Sequence, residues 1–279
     1  MGETNSKLKP LLPIGIFDSG IGGLSVLQAI QALLPAQPTI YLGDQVHVPY
    51  GSRPLEQVRA FSEEITRFLL KQGAGLIVVA CNTASAAALH HLRMTFPNTP
   101  FVGMEPAVKP AAENTLTGVV GVLATPATFQ SELYASVVER FALGVKVLQN
   151  TCPGLVEQIE KGKLDDEVTM QILHNAIDPM LEQNVDTIVM GCTHYPFVIP
   201  QIRQIAGDSV RVIDPAPAIA KQVARLQQEH GWLAGRNTGI PNSYYTTGSS
   251  EKMQALVEFL CSQTVLPVKI TWGKELSEK

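Results

Sequence analysis

The chain has only four cysteines in 279 residues, at positions 81, 152, 192 and 261, too few and too irregularly spaced for a disulfide framework. In a reducing cytosol they stay thiols, and each is open to chemistry. Long apolar runs are also missing. None approaches the roughly 18 residues of a membrane span, because Asn82, Thr83 and Ser85, or Thr125 and Thr128, break the most apolar segments. Charge of one sign is scarce: 21 basic and 25 acidic residues mix along the chain to a net charge of -4. No basic stripe is available to follow a phosphate backbone, which argues against nucleic acid as the primary ligand. Residues Met1 to Leu12 lack the apolar core and small-residue cleavage site of a secretory signal. They read as a loose tail, and the expected location is cytoplasmic.

Cofactor and metal signatures are thin as well. Gly20, Gly22 and Gly23 follow an apolar run but do not have the G-x-G-x-x-G spacing that lets a backbone approach a pyrophosphate. Cys192 and His194 are two closely spaced soft ligands without the further two a zinc site needs. A pyridoxal-phosphate enzyme requires a Schiff-base lysine, for which Lys109 is a formal candidate. The expectation is therefore an enzyme with neither metal nor cofactor.

What is present is a chain that can bury a large core, with 45% hydrophobic and 16% charged residues. Its length suits two domains and a cleft between them. Strand-length apolar runs occur at Ile14–Phe17, Ile40–Leu42, Leu76–Ala80, Val119–Leu123, Val145–Leu148, Thr187–Met190 and Val210–Ile213. Amphipathic stretches at Leu24–Leu34, Leu55–Leu70 and Pro217–Glu229 alternate with them. This alternation predicts an α/β protein of parallel sheets covered by helices. The chain also repeats itself. Ile77 to Thr83 aligns without a gap with Ile188 to His194, superposing Cys81 on Cys192. More faintly, Ile14 to Ser19 aligns with Val120 to Thr125, each at a comparable distance before its cysteine. Two pseudo-symmetric, doubly wound lobes follow, with the site in the cleft between them: residues 13–105 plus 218–272 form the first, and 106–217 the second. Strand candidates at Ser243–Thr247 and Val268–Trp272 rejoin the first lobe, and residues 1–12 and 273–279 are flexible tails.

In open parallel sheets ligands bind at the carboxyl ends of strands, where both cysteines fall. A thiol at a helix N-terminus faces backbone N–H groups that stabilise its thiolate. One cysteine after an apolar strand is as readily a small core residue; two in equivalent positions disfavour that. Facing each other across a pseudo-twofold axis, they would approach one bound molecule from opposite sides. Inverting a stereocentre needs such a pair, one group removing a proton while the other delivers one to the opposite face. A hydrolase has no use for the second thiol. A two-lobed amino-acid binding protein, which closes without chemistry, is the alternative from a different class.

Gly15-Ile16-Phe17-Asp18-Ser19-Gly20-Ile21-Gly22-Gly23, Tyr41-Leu42-Gly43-Asp44, Pro49-Tyr50-Gly51, Ala80-Cys81-Asn82-Thr83-Ala84 and Gly191-Cys192-Thr193-His194-Tyr195-Pro196, in this order, resemble glutamate racemases of the aspartate/glutamate racemase superfamily. The resemblance runs from about Ile14 to Asp214. It implies a cofactor-independent enzyme that interconverts L- and D-glutamate, supplies D-glutamate for peptidoglycan and often forms homodimers. Aspartate or hydantoin racemases are the near alternative. By matching position, Cys81 resembles the base for the D-enantiomer, assisted by Asp18, and Cys192 the base for the L-enantiomer, assisted by His194 and Glu160. Asp18, Ser19, Pro49, Tyr50, Gly51, Asn82, Thr83, Thr193 and His194 correspond to the substrate-binding groups, with Asp44 orienting the ammonium end. Some of these have plainer local readings: Asp18-Ser19 as a helix cap, Tyr50-Gly51 as a turn, His194 as a structural histidine. Glu160 is selected by its distance from Cys152-Pro153; a shift of one helical turn selects Glu157. Cys152 and Cys261 read as structural.

Overall fold

The computed structural model describes residues 11–233, 240–274 and 276. The tails expected at residues 1–12 and 273–279 lie largely outside these. Leu12, at the inner end of the first tail, is held by a hydrogen bond from Gln37 to its carbonyl at 3.0 Å. In chain order the first half contains β1 (Ile14–Asp18), α1 (Leu24–Leu33), β2 (Thr39–Gly43), α2 (Leu55–Lys71), β3 (Leu76–Val79), α3 (Asn82–Thr95), β4 (Phe101–Gly103), α4 (Val108–Asn114), β5 (Val119–Ala124), α5 (Pro126–Phe129) and α6 (Glu132–Phe141). The second half adds β6 (Lys146–Asn150), α7 (Leu155–Ile159), α8 (Glu167–Leu181), β7 (Thr187–Gly191), α9 (Ile199–Ala206), β8 (Arg211–Ile213), α10 (Ala216–His230), β9 (Ser243–Thr246), α11 (Ser250–Cys261) and β10 (Val268–Lys269).

These strands make two sheets, ordered β10-β9-β2-β1-β3-β4 and β6-β5-β7-β8, with every pairing parallel. A parallel strand is covered on both faces, which is why β1, β3 and β7 read as continuous apolar runs and are buried throughout. Each large aliphatic side chain buried in them contributes about 1.5–3 kcal/mol. Helix α2 shows the complementary pattern, burying Val58, Ser62, Ile65 and Leu69 on one stripe. Its buried hydroxyls cost little, because Ser62 and Thr66 donate to the carbonyls of Val58 and Ser62.

The internal repeat has a structural counterpart. Strands β2-β1-β3-β4 of the larger sheet correspond in order to β6-β5-β7-β8 of the smaller, and Cys81 and Cys192 each follow the strand beside the central one. The chain after α10 adds β9 and β10 to the free edge of β2. Two features depart from the sequence expectation. Strand β4 went unread because three residues between Pro100 and Met104 carry no usable period. Strand β10 stops at Lys269, which leaves Trp272 in a turn where its indole is free to reach elsewhere.

Candidate active site

Cys81 leaves β3 in an extended conformation and caps α3, its sulfur accepting from the Ala84 N–H at 3.5 Å. The thiol lies 3.9 Å from the Ser19 hydroxyl, to which it donates. A helix N-terminus was expected to favour the thiolate. Here burial and the neighbouring Asp18 carboxylate outweigh the Ala84 N–H and push the Cys81 thiol well above its ordinary range. Cys81 therefore carries its proton at neutral pH. Cys192 was expected to start a helix too. Instead the chain turns through one 3₁₀ turn, Tyr195–Val198, before α9 begins, with Pro196 inside the turn.

The two thiols have different companions. Asp18, fully buried at the end of β1, directs Oδ2 to the N–H groups of Gly20 and Gly23 at 3.2 and 3.0 Å. Burial raises its pKa, with the charge of His194 and the Gly23 N–H acting against that. Beside Cys192, the sulfur lies 3.8 Å from His194 Nδ1, and His194 Nε2 lies 2.7 Å from Glu160 Oε1. Burial opposes charge on this imidazole. Its hydrogen bonds to Cys192 and Glu160, and their charges, prevail and raise it well above the usual histidine range. Glu160 responds in the opposite sense. Although burial favours its neutral form, His194 and the Ile21 N–H lower its pKa. The result is a buried imidazolium–carboxylate pair next to one thiol and a buried carboxyl next to the other. Glu157 is exposed, whereas Glu160 is the one of the two that meets His194, at 2.7 Å.

Ser19, Pro49, Tyr50, Gly51, Asn82, Thr83, Thr193 and His194 line a single small cavity together with both cysteines. Its free volume is about 10 Å³, room for about one water. Asn82 is the most informative of the lining groups: both its Oδ1 and Nδ2 are buried without a hydrogen-bond partner among the described residues. An unpaired buried amide costs about 1–3 kcal/mol, a cost that a polar group entering this cavity would offset. Asp44 is not among the lining residues. Its carboxylate accepts from Tyr50 OH at 2.6 Å, Thr247 Oγ1 at 2.7 Å and Trp272 Nε1 at 2.9 Å, and His47 Nδ1 lies 2.9 Å away. It holds the Pro49–Gly51 segment from behind. Lys109 lies on a separate cleft of about 600 Å³ and pairs with Glu113 at 3.9 Å.

Sequence reasoning missed Thr125 and Val156, which line the cavity. Thr125 Oγ1 meets Thr83 Oγ1 at 2.9 Å. The signal was there, since the internal alignment superposes Thr125 on Ser19. Val156 carried none. The expected structural role of Cys152 fits its burial, which, with the charge of Cys192, pushes its thiol up to about 12.

Two parallel sheets, each delivering one thiol at the end of a strand into a shared cavity with acid–base partners, define a two-lobed α/β isomerase. The chain belongs to the Asp/Glu/Hydantoin racemase family, whose model matches residues 14–223, and within it to the glutamate racemases. It is 51% identical over 249 residues to a glutamate racemase of Roseiflexus sp. (strain RS-1), covering 89% of this chain and 92% of that protein. The structure of glutamate racemase isoform RacE1 from Bacillus anthracis superposes with a TM-score of 0.84 at 32% identity, over 94% of this chain and 98% of that one. That of glutamate racemase from Francisella tularensis in complex with D-glutamate does so with a TM-score of 0.81 at 29% identity, over 94% and 98%.

Proposed function

We propose that this chain interconverts L- and D-glutamate without a cofactor, by two-base proton transfer between Cys81 and Cys192. The observation that carries this reading is that the two thiols, from equivalent strands of the two sheets, line one cavity together with the unpaired amide of Asn82. One sulfur removes the α-proton as a base, leaving the electron pair on the α-carbon. The other, as a thiol, gives its proton to the opposite face. Cys81, held protonated by burial and by Asp18, is ready to donate when L-glutamate is deprotonated by Cys192. In the reverse direction Asp18 takes up the Cys81 proton. His194, paired with Glu160, exchanges a proton with Cys192 across 3.8 Å.

Asn82, Thr83, Thr193, Ser19 and the Tyr50-Gly51 segment bind the carboxylates and ammonium of glutamate, and Asp44 acts through Tyr50. A cavity of about 10 Å³ is far below the roughly 300 Å³ of the smallest ordinary ligand pockets, so the lobes must part to admit substrate. The lobes themselves we assign as residues 13–105 plus 218–272 and residues 106–217. The D-glutamate formed serves peptidoglycan synthesis. We assign its action to the cytoplasm; among the described residues no helix is long and apolar enough to cross a membrane. The expected homodimer is read out by light scattering across a concentration series.

The decisive experiment incubates the protein, freed of small molecules, with L-glutamate in deuterium oxide and follows the α-proton together with optical rotation. Exchange accompanied by inversion supports the reading, and retention of both proton and rotation refutes it. Parallel assays with aspartate and with hydantoins decide between glutamate and the neighbouring substrates.

A further inference from the structure

Residues Gly20 to Ser25, between β1 and the first turn of α1, follow a strand of the larger sheet, whereas Glu160, Thr193 and His194 are carried by elements around the smaller one. The two sets interlock. Ser25 Oγ lies 3.0 Å from the Thr193 carbonyl and 2.8 Å from the Gly22 carbonyl, so its single proton sits between its own helical turn and the peptide that follows Cys192. The Ile21 N–H donates at 2.8 Å to Glu160 Oε1, the same oxygen that lies 2.7 Å from His194 Nε2. The approach is close enough that a Cβ on Gly20 would run into the Glu160 carboxylate, and one on Gly22 into the His194 ring. On the Cys81 side, by contrast, the sulfur's hydrogen-bond partners, Ser19 and Ala84, belong to the larger sheet's own elements. Two hydroxyl contacts also cross near there. Thr193 to Asp18 is long at 3.4 Å, and Thr83 to Thr125 touches neither the Cys81 thiol nor Asp18.

We propose that Ser25 is a positioning residue for the Cys192 half of the reaction: its hydroxyl, together with the Ile21 N–H, fixes the Cys192–His194 turn when the two sheets are in contact. The inference rests on the two-thiol reading above and goes beyond it by making the two proton transfers unequal. The Cys81 thiol takes both of its hydrogen-bond partners from its own lobe. The Cys192 transfer is completed only when the lobes close, because the peptide after Cys192 and the carboxylate behind His194 each borrow a donor from the opposite lobe. Proton transfer between sulfur and carbon tolerates little misplacement, so a freed Thr193 peptide slows that step selectively.

Ser25→Ala removes the donor and leaves the volume almost unchanged. It is expected to lower kcat by roughly tenfold with a smaller effect on KM. The selective readout is the primary isotope effect on kcat with α-deuterated substrate. It should rise above the wild-type value for deuterated L-glutamate, whose deuterium goes to Cys192, and fall for the D-enantiomer. Ser25→Thr, which keeps the hydroxyl, should restore both. Ser62→Ala, which removes a buried helical hydroxyl on α2, should leave turnover and both isotope effects unchanged. Equal changes in the two isotope effects, or wild-type values in Ser25→Ala, overturn the proposal. Full turnover by Cys192→Ala would instead overturn the two-thiol reading on which it stands.

Discussion

Glu160 Oε1 lies 2.7 Å from His194 Nε2, joining the end of a short helix to the turn after β7 and fixing which imidazole nitrogen faces Cys192. The pair explains why His194 holds its proton despite burial. In Glu160→Gln the opposing cost of burial stays while the anion and its charge are lost. The imidazole should therefore titrate at a lower pH, visible in the pH dependence of its carbon-13 shift, with kcat reduced on the order of tenfold or more. An unchanged titration midpoint would contradict the assignment.

Removing either thiol should stop racemisation in both directions, since each direction uses both. For Cys81→Ala and Cys192→Ala the loss in kcat is expected to be at least about 100-fold, the lower end for a positioned acid or base. Glutamate binding, followed calorimetrically, should survive. Normal turnover in either variant removes that cysteine from the mechanism.

Gly22 exists to let His194 approach. Its missing Cβ is the space the ring occupies, so Gly22→Ala should displace the ring or hold the lobes apart, and kcat/KM should fall by about 100-fold. Near-wild-type kinetics would show that the ring can move aside freely.

Trp272, beyond β10, donates its indole N–H to Asp44, which in turn accepts from Tyr50. Trp272→Phe keeps an aromatic ring against His47 and Phe61 while removing that donor. Loss of one hydrogen bond to a charged group, about 1.5–3 kcal/mol at most, should appear mainly as a rise in KM, with kcat little changed. A fall confined to kcat would mean that Tyr50 acts elsewhere than in binding.

Asp186 is the residue for a stability test away from the site. Burial works against its charge, but the Thr117 N–H, the Thr115 hydroxyl and the Leu116 N–H lower its pKa to about 2. The usual value is 3.8, so the contribution is fully present above about pH 4 and is lost as the pH falls toward 2. After allowing for solvent screening it amounts to about 1 kcal/mol at pH 7. Urea denaturation of Asp186→Asn should show that deficit at pH 7 and little of it near pH 2. A constant deficit across the range would refute the electrostatic account.

Much of the fold and much of the site's lining could be read along the chain. Buried parallel strands are written as apolar runs, and the repeat of Ile77–Thr83 in Ile188–His194 pairs the two cysteines from covalent order alone. What resisted reading was either too short to carry a period, as with β4, or had its partner far away in sequence. Asp44 is given a role at the ammonium end only by the resemblance of Tyr41-Leu42-Gly43-Asp44 to the family's motif. Only its contacts with Thr247 and Trp272, both about 200 residues later, place it behind Tyr50.

By itself, then, the sequence determined which residue types stand at the ends of which strands, because side-chain period and covalent order are local properties. The tertiary structure alone decided how those groups are charged and which of them are shared. Burial and close neighbours turned Cys81 into a held thiol where the helix terminus predicted a thiolate, and placed Ser25 and Ile21 beside the opposite cysteine's turn. Desolvation and contacts across the lobe seam are set by three-dimensional distance, which no linear spacing encodes.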